Sequence, residues 1–341
     1  MKPEQTTVRS SYRLSMLVAL ALLAAGSVAH VTWVEDEPRA VLAILESPRP
    51  TDAQWRALCA TEGYRRLKDR EAGMGRPFTD DQFRSFVSSP ELRARTRRLK
   101  ETLDAWARTD FRAAGRQDMR YLPANARLIA KVYPLIKPLH NSFVFDTDKD
   151  PAIMLYLDPA ESQERFQRTV VHELHHIGYA SCCPAPGFQN WVRSKPGSLQ
   201  AAWLWFGAFG EGYAVLAAAG APDTDPMAPF EPNVQAAWKH GMSHLAEDMT
   251  TLGEFFVDTA GGKLTTDAAM QHAREFYGVQ GPWYTVGWVQ ATTVERAFGR
   301  EKLIECYLDP RLLMPTYNAA VAKIGAQYPV WPAAVIQAMG A

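Results

Sequence analysis

The chain has 341 residues, and its 37 Lys and Arg are balanced by 37 Asp and Glu. A formal charge of zero provides no basic face, which argues against a nucleic-acid partner. Hydrophobic residues make up 47%, an ordinary globular share, and the length suits one large domain or two ordinary ones.

The first residues are polar, with Lys2, Arg9 and Arg13 against Glu4, and Leu14 to Ala25 is mainly apolar. Ser27-Val28-Ala29 then offers small residues to a signal peptidase, so residues 1–29 are expected to be a secretory signal cleaved after Ala29. The apolar run is too short to cross a bilayer. An exported chain, periplasmic or secreted and without a stable membrane span, is the expectation. Its cysteines, Cys59, Cys182, Cys183 and Cys306, would meet an oxidising compartment. A bond between the adjacent pair is strained, so partners for Cys182 and Cys183 are expected at Cys59 or Cys306, with the connectivity open.

From residue 30 to about 125 the pattern is helical. Ala40 to Leu45, Asp52 to Cys59 and Asp81 to Val87 repeat apolar residues at spacings of three and four. Glu91 to Thr109 reads as one long helix, with Leu92, Leu99 and Leu103 inward. Arg93, Arg95, Arg97, Arg98 and Lys100 lie on its solvated face. The texture changes at Ala126. Ala126 to Ile136, Ser142 to Phe145 and Ala152 to Leu157 read as strands, with a turn at Asp146 to Pro151. Glu161 or Ser162 can open the next helix, which should stop near Gly178. The prolines and glycine of Cys182 to Gly187 then exclude helix.

That helix carries the chemistry. Within Thr169 to Gly178, His172, Glu173 and His176 spell H-E-x-x-H. Residues four apart on a helix are separated by about 40° and stack on one face, so both imidazoles can reach one metal ion. Glu173 flanks them as a base for water, the arrangement a zinc hydrolase needs. His175 points to the other flank, toward a supporting carboxylate or solvent. In Ser198 to Ala221 the only charged residue is Glu211, and an ionised carboxylate in such apolar surroundings needs a cation or strong donors, which a metal ion would supply directly. A partly exposed structural Glu, or a membrane span, are the competing readings of that stretch. His240 and His244, with Glu247 and Asp248, form a second i, i+4 pair, but no activating Glu stands between them. Trp203, Trp205, Trp283 and Trp288 read as core, or as the wall of a substrate subsite.

H-E-x-x-H followed by Glu211-Gly212-Tyr213-Ala214 resembles the gluzincin clan of zinc peptidases, which includes thermolysin. More narrowly, the order of the HELHH helix, the E-G-x-A helix, Met249 to Asp258 and Tyr284-x-x-Gly287 is similar to a bacterial family of uncharacterised zinc-dependent peptidases. The resemblance spans Ala126 to Pro315 and leaves the N-terminal helices outside. It implies His172, His176 and Glu211 as ligands of one zinc ion per chain. It also implies Glu173 as general base and Tyr284 as donor to the oxyanion. The departure is that Glu211 stands 35 residues after His176, farther than in thermolysin. Metzincins do not fit, because their third His would fall at Cys182 and their Gly at Tyr179.

The expected fold is α+β and mostly helical. A zincin-like, small twisted sheet precedes the H-E-x-x-H helix and a helical C-terminal part, and residues 126–341 pack as one unit with the helical region 30–125. The last strand, Ala152 to Leu157, would run above the cleft and offer its edge to a peptide. The expected activity is a metallopeptidase acting on a peptide or protein through a zinc-bound water, with Glu173 taking the proton. The alternatives are hydrolysis of a non-peptide bond, and an exported binding protein with a structural metal site.

Overall fold

The computed structural model describes residues 28–340. The expected secretory signal therefore lies outside the described residues, except for Val28 and Ala29. These two open strand β1 (Val28–Trp33), paired with Arg127 and Leu128.

Helices follow as α1 (Asp36–Leu45), α2 (Asp52–Ala60), α3 (Glu62–Gly73) and α4 (Asp80–Val87). Next come α5 (Pro90–Ala94), α6 (Thr96–Trp106) and α7 (Phe111–Met119). Capping defines several starts. Thr51 with Gln54 and Thr79 with Gln82 form reciprocal capping boxes, and Asp110 accepts from the Ala113 N–H. The single long helix expected over Glu91 to Thr109 is instead two. The Thr96 hydroxyl donates to the Arg93 carbonyl, offering that oxygen a side-chain partner where the helix breaks. Leu92, Leu99 and Leu103 are buried as their spacing implied.

The sheet adds β2 (Arg127–Leu135), β3 (Phe143–Phe145) and β4 (Ala152–Tyr156), in the order β1-β2-β4-β3. β1, β2 and β4 are parallel, and β3 runs antiparallel to β4. This corrects the expected peptide-binding edge. β4 is paired on both sides and every one of its residues is buried, so the outer strand on that side is β3. Strand β1 was not anticipated, because its first residues read as a peptidase site.

Beyond the sheet lie α8 (Gln163–Ala180), α9 (Pro186–Arg193), α10 (Gly197–Phe206) and α11 (Gly210–Ala219). The chain then forms α12 (Pro232–Ser243), α13 (Leu245–Ala260), α14 (Thr266–Glu275) and α15 (Pro282–Phe298). It closes with α16 (Arg300–Leu308), α17 (Leu313–Ile324) and α18 (Ala333–Met339). Helix resumes at Pro186 despite the expectation of a break, since at the first helical position proline's missing N–H costs nothing. Among the described residues no helix is long and apolar enough to cross a membrane.

Two apolar clusters meet at α8. Val170, Val171, Leu174 and Ile177 pack with the sheet and the N-terminal helices, where Phe166 stacks on Trp106 at 4.0 Å. The other cluster gathers the C-terminal helices around Phe209, Phe256 and Trp283. Trp203, Trp283 and Trp288 are buried in it, and Trp205 packs at its margin. The expected distant disulfides are not made. All four cysteines are free, Cys59 packs against the N-terminal cluster and Cys306 lies in the C-terminal one. Cys182 and Cys183 face each other, their sulfurs 3.3 Å apart.

Candidate metal centre

Ser162 caps α8 by accepting from the Arg165 N–H, and the helix runs unbroken through both histidines to Ala180. The first turn of α11 brings Glu211 against them. Its Oε2 lies 3.2 Å from His172 Nε2 and 3.4 Å from His176 Nε2, and the two nitrogens are 3.1 Å apart. Tetrahedral zinc with bonds of 2.0–2.1 Å sets its donors about 3.3 Å apart, so two imidazoles and one carboxylate at these separations fit that ion. Among the described residues, these three form the group of His, Cys, Asp or Glu able to hold a metal. The rings of His240 and His244 lie tilted with centroids 4.0 Å apart at the end of α12 but gather no such group.

Glycine sets the position of Tyr284. Helices α11 and α15 cross at Gly212 and Gly287, where backbone touches backbone. A Cβ on Gly212 would lie 2.1 Å from the Trp288 nitrogen, and one on Gly287 would lie 2.7 Å from the Phe209 carbonyl. Glu211 precedes one glycine and Tyr284 stands a turn before the other, so the crossing carries both side chains to the same place. The Tyr284 ring lies nearly parallel to His172, with centroids 6.3 Å apart. Burial, reinforced by the Glu211 charge, pushes its phenol far up, so it remains a donor.

Glu173 lines a cavity of about 190 Å³ together with His172, Tyr284, Arg168, Thr169 and Gln280. Burial raises its pKa against the opposing effect of the two histidines. His175 contributes nothing to this cavity. It is buried, with Nδ1 2.9 Å from Asp118 Oδ1 of α7, so its partner is the supporting carboxylate of the two expected options. A larger cavity of about 540 Å³ lies beyond Tyr179, but no acid or histidine lines it.

Sequence reasoning had not singled out Arg168, Thr169, Gln280 or Asp118. Arg168 stands one turn before His172, so helical spacing alone could have found it. Gln280 depends on the turn before α15, and no spacing rule reaches it.

The charge state of the metal-free cluster can be tested. Burial alone would lower the His176 pKa, but the Glu211 carboxylate outweighs it and pushes the imidazole up to about 9. Burial would likewise raise Glu211, but His176 and His172 hold it well below the usual carboxylate range. At neutral pH the pair is imidazolium and carboxylate, and a metal must displace that proton. Because the folded pKa is raised, the proton is held below about 9 and lost above it. Apparent zinc affinity should therefore climb about tenfold per pH unit between about pH 7 and 8.5. It should level off above about 9, as read by competition with a chromophoric chelator. A profile flat from pH 7 upward would show that no such proton is displaced.

A family model described as "Putative zinc dependent peptidase (DUF5700)" matches residues 55–326. The match begins far upstream of Ala126, so the N-terminal helices from residue 55 onward lie inside the family region, contrary to the sequence expectation. No curated protein and no solved structure matches the chain.

Proposed function

Because the chain belongs to the family of putative zinc dependent peptidases (DUF5700), we propose that it hydrolyses peptide bonds at the cluster of His172, His176 and Glu211. The observation that carries this reading is the convergence of these three donor atoms beside the half-buried carboxylate of Glu173, which is not among them. Bound there, zinc would supply a Lewis acid that polarises a carbonyl and acidifies water.

The chain's own residues do the rest. Glu173, its pKa raised by burial, accepts a proton from the attacking water and hands it to the leaving amine. Tyr284, kept protonated, donates to the carbonyl oxygen as negative charge develops there. Three protein donors rather than four favour catalysis over a structural site, which closes with a fourth protein ligand. On this reading an extended peptide would add to the outer strand β3, antiparallel to β4, in place of β4 itself. The expected export belongs to the same proposal, since a chain acting outside the cytoplasm meets peptides there. Intact mass of protein from the exporting cell tests it, and a soluble form retaining Met1 would end it.

The test of activity is digestion of a proteome-derived peptide library by the zinc-loaded chain, with the Glu173→Gln variant as blank. Cleavages absent from the blank support the reading, and identical digests overturn it. Tyr284→Phe is expected to lower kcat by roughly 10-fold to 10³-fold with little change in KM. An unaltered kcat would reduce Tyr284 to packing against His172.

A further inference from the structure

The cavity beside Glu173 has a cationic end. Arg168 lies on the same face of α8 as His172, one turn before it, and only 14% of its side chain is exposed. Its Nη1 donates to the Asp225 carbonyl at 3.2 Å, which pins the guanidinium of a residue that lines the cavity. Among the described residues, the one carboxylate within 4 Å is that of Glu164, 3.6 Å away and 66% exposed. Water screens such a pair, and it neutralises little. The neighbouring Arg165 differs, because it is held between Glu161 and Glu231.

A second group in the same cavity lacks a partner. Gln280 Oε1 is buried with no hydrogen-bond partner among the described residues. Its backbone takes φ 58°, a left-handed conformation uncommon for any residue but glycine. A buried amide oxygen without a partner, on strained backbone and lining a cavity, is the arrangement expected where a ligand completes the bonding. The remaining wall is apolar, from Val215, Met227 and Phe230. A volume of about 190 Å³ takes one side chain and little more. With a divalent ion balancing Glu173 and Glu211, the Arg168 charge is left over.

We propose that this cavity is a subsite for a carboxylate, which pairs with Arg168 while Gln280 bonds a neighbouring peptide group. The substrate class is then a peptide bearing an acidic side chain, or its own C-terminal carboxylate, next to the bond cleaved. The inference rests on the peptidase reading, and its test is chosen to stand apart from it.

Zinc-loaded Glu173→Gln chain is titrated calorimetrically with four alanine pentapeptides. One has a central glutamate and both ends blocked, and the second is its glutamine twin. The third is all alanine with a free C-terminal carboxylate, and the fourth is its amide. Glutamate over glutamine, or free carboxylate over amide, should bind at least about tenfold more tightly, and whichever pair shows it names the source. Adding Arg168→Met should shrink that ratio to about twofold or less, and Arg168→Lys should keep part of it. Gln280→Glu, which spares the hold of Arg168 on Asp225, should also erase it by placing a like charge opposite the ligand. Equal binding within both pairs, or a ratio that survives Arg168→Met, overturns the proposal. If the ratio holds but the wild-type chain cleaves nothing in the library, the peptidase reading falls and the carboxylate subsite stands. Cleavage without the ratio does the reverse.

Discussion

Replacing Glu173 with glutamine is expected to leave about one zinc bound per chain while peptide turnover falls by about 10²-fold or more. The substitution keeps the shape of a half-buried side chain and removes only its capacity to take a proton. Zinc retention follows from the site geometry. The three converging donors are His172 Nε2, His176 Nε2 and Glu211 Oε2, and Glu173 is not among them. Burial raises the pKa of the carboxyl, which makes it a stronger proton acceptor than an exposed glutamate. Metal analysis and turnover on the same preparation make the measurement. A variant that arrives without zinc would move Glu173 into the ligand set.

Glu211→Ala should act on the metal itself. The variant loses one of three donors and the only anion among them, so zinc affinity should fall by more than the ~10–100-fold typical of losing a supporting partner. Dialysis against a weak chelator should empty it. His240→Ala and His244→Ala serve as controls, because those rings lie at the end of α12 and gather no carboxylate into a metal group. A loaded Glu211 variant beside empty histidine variants would overturn both the ligand set and the gluzincin likeness.

The site was legible because its signals are local or compositional. H-E-x-x-H needs only helical spacing, and Glu211 stood out as the lone charge in an apolar stretch that folds against α8. Tyr284 was reached only through resemblance, and the Gly212–Gly287 crossing now supplies a physical reason for its position. Less legible were features fixed by long-range pairing. Strand order cannot be read from alternation, so β4 was given an edge that belongs to β3. Val28 and Ala29 satisfy a peptidase's preference and a strand's equally well. The break at Arg95 turned on one threonine hydroxyl bonding back to a carbonyl, a detail no apolar period records.

The contact between His175 and Asp118 ties α8 to a helix made much earlier in the chain. The histidine stands between the two ligand-bearing turns of α8, and its partner belongs to α7, 57 residues earlier. Both side chains are almost wholly shut off from solvent, at 1% and 0% exposed. Leaving either alone in that interior is costly. A fragment begun at β2 would have to bury His175 without that partner. The region from β2 onward is therefore not a transplantable cassette, because the helix that carries His172 and His176 draws the buried partner of His175 from α7.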